Sequence, residues 1–154
     1  MPKGKPTPAQ AQLHLQIYDL RREARLRQAR EWYIQNYFPT SPEEGGRLTP
    51  PGSQENAFMR MVISYWDQNC FLLNYGLLHE ELFFQTSGEF FQVWERVKPL
   101  MPVLRQQFRN PHMFSNLEKA AQRYEKWAEK RAPGSLEATR QFLQRLRKTS
   151  AAAS

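Results

Sequence analysis

The run NAFMRMVISYWDQNCFLLNYGLLHEELFF, Asn56 to Phe84, constrains the fold more than any other stretch. At 3.6 residues per turn, Phe58, Met61, Val62, Tyr65, Trp66, Leu72, Leu73 and Leu77 fall on nearly every side of a helix. A helix apolar all round is buried among other helices or in lipid. Asn74 interrupts the stretch Phe71 to Leu78, and Asp67 and His79-Glu80-Glu81 close it off, well short of the ~20 apolar residues a membrane span needs. The expectation is a central core helix over about 54–84, wrapped by others into an all-α bundle of about five helices.

Punctuation residues place the neighbours. Thr7-Pro8-Ala9-Gln10 carries a helix start, with Thr7 as N-cap, proline in the first turn and Gln10 closing a capping box. No Pro or Gly follows until Pro39, so one long N-terminal helix is expected over 8–38. Leu13, Ile17, Leu20 and Ala24 form one apolar stripe of that helix; Leu26, Ala29, Tyr33 and Tyr37 form a second, rotated one, which requires different neighbours or a bend. Residues 39–53, rich in Pro and Gly, read as a mobile loop. Thr86-Ser87-Gly88-Glu89 and Ser115-Asn116-Leu117-Glu118 read as two further capping boxes. Between them Pro99 and Pro102 predict a kink or a fresh helix start. Ser135 caps a last helix whose Leu136, Thr139, Leu143 and Leu146 share a face. The whole is one domain over 8–148, with a flexible segment 1–7 and a disordered tail 149–154.

The single cysteine, Cys70, excludes an internal disulfide and a thiol-based metal site, and reads as a small buried hydrophobe. With no apolar stretch after the basic MPKGKPTPAQAQ there is no secretory signal, and a cytoplasmic setting is expected. The charge is unevenly distributed: residues 1–47 carry a net +3, residues 48–92 a net −4 and residues 93–154 a net +8. Acidic groups of the core helix therefore have arginines available elsewhere in the chain, and buried charges persist only when paired. Asp67, Asn74 and Glu80, with Arg22, Arg105 and Arg109 as partners, are the candidate buried polar network. Arg21, Arg25, Arg140, Arg145, Arg147 and Lys148 are the candidate anion-binding surface.

YDLRRE followed by AREW, then NAFMRMVISYWD, GLLHEELF, SGE with Trp94 five residues after Glu89, and KPLMPVLRQQF together resemble a family of small bacterial helical proteins classed as a domain of unknown function. The resemblance covers roughly residues 16–125. It implies an all-α fold and no established activity. Some members of the wider group carry an N-terminal membrane helix, and this chain is expected to lack one.

Catalytic motifs are few. His79-Glu80-Glu81 has no second histidine four residues on, as HExxH requires, and adjacent carboxylates on a helix diverge by about 100°. Neither a phosphate-binding glycine loop nor CxxC is present, and no cofactor is expected. The favoured reading is a non-catalytic helical interaction or scaffold module that binds a protein partner or itself. The alternative is a basic surface for nucleic acid or an anionic membrane. An enzyme or metal protein would need Asp67, His79 and Glu80 to converge.

Overall fold

A computed structural model describes residues 4–153. Its elements are α1 (Pro8–Arg21), α2 (Ala24–Asn36), α3 (Pro42–Leu48), α4 (Gln54–Asn74), α5 (Glu80–Thr86), α6 (Glu89–Val97) running through a 3-10 turn at Lys98–Leu100 into α7 (Met101–Gln107), α8 (Ser115–Arg131) and α9 (Ser135–Ala153). Among the described residues the fold is all-α, and no helix is long and apolar enough to cross a membrane.

The run at 54–74 is the central element. α4 buries Phe58, Val62, Ile63, Trp66, Cys70 and Leu73, and packs mainly between α2 and α8. Both neighbours turn small residues toward it: Ala29 of α2 and Ala120 and Ala121 of α8 are fully buried, which permits a close helix approach. Beside this three-helix core an aromatic cluster joins α5, α6 and α8. Phe84 stacks on Phe90 at 5.9 Å, and Tyr124 meets Phe84, Phe90 and Phe91 at 5.0–5.3 Å. Burial pushes the Cys70 thiol well above its ordinary range, so it is an inert core group.

Several elements differ from expectation, each for a local reason. The expected helix over 8–38 is two helices. The Glu23 carboxylate accepts from the Arg25 and Leu26 backbone N–H groups at 2.9 and 2.8 Å and caps α2 afresh, so the two apolar stripes serve different neighbours. The expected core helix over 54–84 ends at Asn74. There Leu77 N–H donates to Leu72 O and Gly76 N–H to Leu73 O, both at 3.0 Å, with Gly76 at φ +74°: a Schellman stop, which glycine accepts without a Cβ penalty. The expected loop over 39–53 contains α3. Ser41 caps it, and its Gly45 lies so close to α6–α7 that a Cβ would stand 2.7 Å from Leu100.

Of the three capping boxes, only that at Thr7 and Gln10 forms. α6 starts at Gly88 and α8 at Phe114, neither with a side-chain cap, because Glu89 and Glu118 are drawn into contacts with other helices. The last helix continues through Thr149 to Ala153, where a disordered tail was expected, and its Leu146, Thr149 and Ala153 line a shallow groove with Ile34 and Leu48. Of the segment expected to be flexible, residues 1–3 lie outside the described residues. At its far end the Gly4 carbonyl lies 2.6 Å from His79 Nε2.

Candidate functional site

The acidic and amide groups of α4 and α5 are spent on docking α8. Asp67 stands opposite the uncapped start of α8: its Oδ1 accepts from Leu117 N–H at 2.9 Å and its Oδ2 from Asn116 Nδ2 at 3.2 Å. It does the work of an N-cap from a neighbouring helix, satisfying a free N–H and placing negative charge at the positive end of the helix dipole. Two turns after Asp67, at the end of α4, the pattern repeats. Asn74 Nδ2 donates to Asn116 O at 3.1 Å, and its Oδ1 accepts from Arg123 Nη2 at 2.9 Å. Arg123 Nε in turn donates to Glu80 at 2.7 Å.

Three of the six residues expected in a polar network, Asp67, Asn74 and Glu80, therefore do line one seam. The three arginines expected there, Arg22, Arg105 and Arg109, lie elsewhere, and Arg123 holds the seam. Arg105 instead binds Glu118 at 2.7 Å and the Met113 carbonyl at 2.9 and 3.1 Å, pinning the turn between α7 and α8. Arg22 is an exposed C-cap residue of α1. Arg109 is exposed, at φ +50°, in the turn that ends α7. Neither contributes an ion pair among the described residues.

A second hub escaped sequence reasoning. Glu89 accepts from Arg30 Nε and Nη2 at 2.8 and 2.7 Å and from Trp66 Nε1 at 3.2 Å, tying α2, α4 and α6 together. Glu89 raises the Arg30 pKa by that hydrogen-bonded pairing. The SGE triplet was the available signal, but it reads equally well as a capping box.

His79-Glu80-Glu81 resolves into three separate contacts. His79 Nδ1 accepts from Leu82 N–H at 3.3 Å and caps α5; Glu80 turns to Arg123, and Glu81 to Trp127 Nε1 and Arg131. Among the described residues no group of three His, Cys, Asp or Glu is placed to hold a metal ion.

The candidate basic surface is divided by similar contacts. Arg21 lies 5.0 Å from the Tyr18 ring and Arg25 lies 4.5 Å over Phe58. Arg140 is held by Glu95 at 3.2 Å and Glu125 at 2.8 Å. Arg145, Arg147 and Lys148 are exposed along α9. Of these, Arg147 lines a cleft of about 280 Å³ between the α2–α3 connection, α6 and α9. Its other walls include Phe38, Pro99, Arg140 and Leu143, and its floor includes Arg96, only 4% exposed.

Several large apolar residues are exposed. Leu15 and Leu20 of α1 are 67% and 60% exposed, and Tyr75 and Leu77, in the turn after α4, are 70% and 51% exposed. Gln10 Nε2 donates to Gly76 O at 3.2 Å, which brings the start of α1 beside that turn. A family model described as a domain of unknown function (DUF4760) matches residues 6–127, leaving α9 outside the match. Neither a curated protein nor a solved structure matches the chain.

Proposed function

The chain belongs to the DUF4760 family of unknown function, and on that premise we propose that it is a non-catalytic helical module that binds another protein surface. The contact face is the outward side of α1 together with the turn after α4. The observation that carries this reading is the exposure of Leu15, Leu20, Tyr75 and Leu77. The hydrogen bond from Gln10 to Gly76 sets α1 beside the turn that carries Tyr75 and Leu77, and exposed apolar surface of this kind marks interaction sites. Support also comes from the acid and amide groups of α4 and α5, whose hydrogen-bonding capacity goes to helix docking. A cytoplasmic setting belongs to the same proposal, supported by a lone buried thiol that calls for no oxidising compartment.

Light scattering coupled to size exclusion tests it, at low and high salt with absorbance at 260 and 280 nm. The proposal expects a species free of nucleic acid whose apparent mass rises with concentration, or which shifts on adding its partner, equally at both salts. Leu15→Lys with Leu20→Lys is expected to abolish the shift. Co-purifying nucleic acid that high salt strips away would favour the basic-surface alternative instead.

A further inference from the structure

Most half-buried arginines of this protein are matched to carboxylates: Arg30 to Glu89, Arg105 to Glu118, Arg123 to Glu80 and Arg140 to Glu95 and Glu125. Arg96 is the exception. It is more deeply buried than any of them, yet its contacts are the carbonyls of Ile34 at 3.0 Å and Gln92 at 3.4 Å and the rings of Phe38 at 4.5 Å and Tyr33 at 5.9 Å. Its Nε has no hydrogen-bond partner, and no carboxylate pairs with it among the described residues. Burial lowers its pKa from the ordinary guanidinium value, outweighing the opposing pull of Tyr33 and Glu89, neither of which bonds to it. A cation in that position raises the local potential toward anions in any cavity it borders.

Such a cavity is present. Arg96 forms part of the floor of the cleft of about 280 Å³, and Arg140 and Arg147 stand in its walls. One acidic residue, Glu95, also lines it, engaged by Arg140 and Lys98. Glu125 pairs with Arg140 as well, and Glu44, bonded to Thr40 of the lining, acts on Arg147 without a direct ion pair; among the described residues this leaves Arg96 and Arg147 as the lining cations that no carboxylate binds directly. Phe38, Pro39, Pro99 and Leu143 supply an apolar wall. We propose that this cleft binds a small organic anion, a carboxylate or phosphate ester with a compact apolar body. Arg147 forks onto the anion at the mouth, Arg96 supplies charge from the floor, and Phe38, Pro99 and Leu143 pack the apolar body. The volume is at the lower end for ligand pockets, which suits a fragment with a single ring and excludes a whole nucleotide. Arginine is suited to the task because its planar donors match carboxylate and phosphate oxygens in pairs. The site goes beyond the interaction module: it lies between α6 and α9 and uses none of the exposed apolar residues of α1.

The test is an NMR titration of the full ¹⁵N-labelled chain with phenyl phosphate, with benzoate and inorganic phosphate as further arms and phenol as the neutral control, at physiological salt. Saturable shifts are expected at the amides of Arg96, Leu143 and Arg147 with phenyl phosphate or benzoate, and none that saturate with phenol. The stronger of the two anions identifies the headgroup. Arg147→Gln, an exposed change that leaves the core intact, is expected to weaken that binding about tenfold. Three results overturn the proposal: no saturable binding of either aromatic anion; shifts scattered over Arg25, Arg145 and Lys148; or equal affinity in the Arg147→Gln chain. Tighter binding of a glutamate-rich peptide to the same residues would also overturn it, reassigning the cleft to an acidic protein segment.

Discussion

Glu89→Gln separates two accounts of one residue. If Glu89 completes a capping box, glutamine serves as well as glutamate and stability barely moves. The geometry instead gives Glu89 two short charge-assisted hydrogen bonds to Arg30 and one to Trp66, with both charged side chains less than a fifth exposed. Glutamine keeps an acceptor for one of these donors but removes the charge and the forked geometry. Hydrogen bonds to charged groups contribute roughly 1.5–3 kcal/mol each. Some solvent access and the surviving acceptor reduce the sum, so the expected loss is about 2 kcal/mol. For a chain of this length that is about 4–8 °C in Tm. Urea denaturation followed by circular dichroism measures it, and a double-mutant cycle with Arg30→Gln should return a coupling of about 1 kcal/mol or more. A loss below about 0.5 kcal/mol with no coupling would refute the reasoning and restore the cap.

Other consequences are smaller and local. Asp67→Ala leaves the buried Leu117 N–H without its acceptor and the α8 dipole without its anion; urea midpoints should register a loss of about 1–2 kcal/mol. Gly76→Ala meets no atom within 4 Å, so its cost is that of holding φ at +74°; about 1 kcal/mol is expected, with Gly76→Asn less severe in the same melts. His14 is held below its ordinary pKa, first by burial and then by Arg21, with Nε2 against the Thr86 hydroxyl and Nδ1 unpartnered. Its stability contribution is therefore complete above about pH 6.5 and is lost as pH falls through the depressed value, since the unfolded chain takes up the proton first. Urea midpoints at pH 7.5 and 5.5 should fall less in His14→Gln than in the parent.

The sequence disclosed the core helix because periodicity reports burial: Phe58, Val62, Trp66 and Leu73 are buried and Met61, Tyr65 and Leu72 half-buried, whereas Leu77, expected on the same helix, lies exposed beyond its glycine stop. Helix ends were less legible. The break at Glu23 and the uncapped starts at Gly88 and Phe114 depend on whether a carboxylate binds its own helix or a distant one. Local pattern holds no information on that choice. The same ambiguity explains the polar seam. Asp67, Asn74 and Glu80 were identifiable as polar groups on an apolar helix, but choosing Arg123 among many arginines needs the register of α8 against α4. Arg96 gave no signal at all, because a basic residue between Trp94 and Val97 looks like a solvated position on an amphipathic helix.

The claim that α1 presents a protein-binding face is tested most directly by photo-crosslinking in the native cell, with benzoylphenylalanine placed at position 15 and, as control, at the exposed Lys126. A discrete adduct from position 15, absent from position 126, is the result the account predicts; a mass of two chains identifies self-association, and any other single mass a separate partner. No discrete adduct from position 15, or the same adducts from both positions, would contradict it.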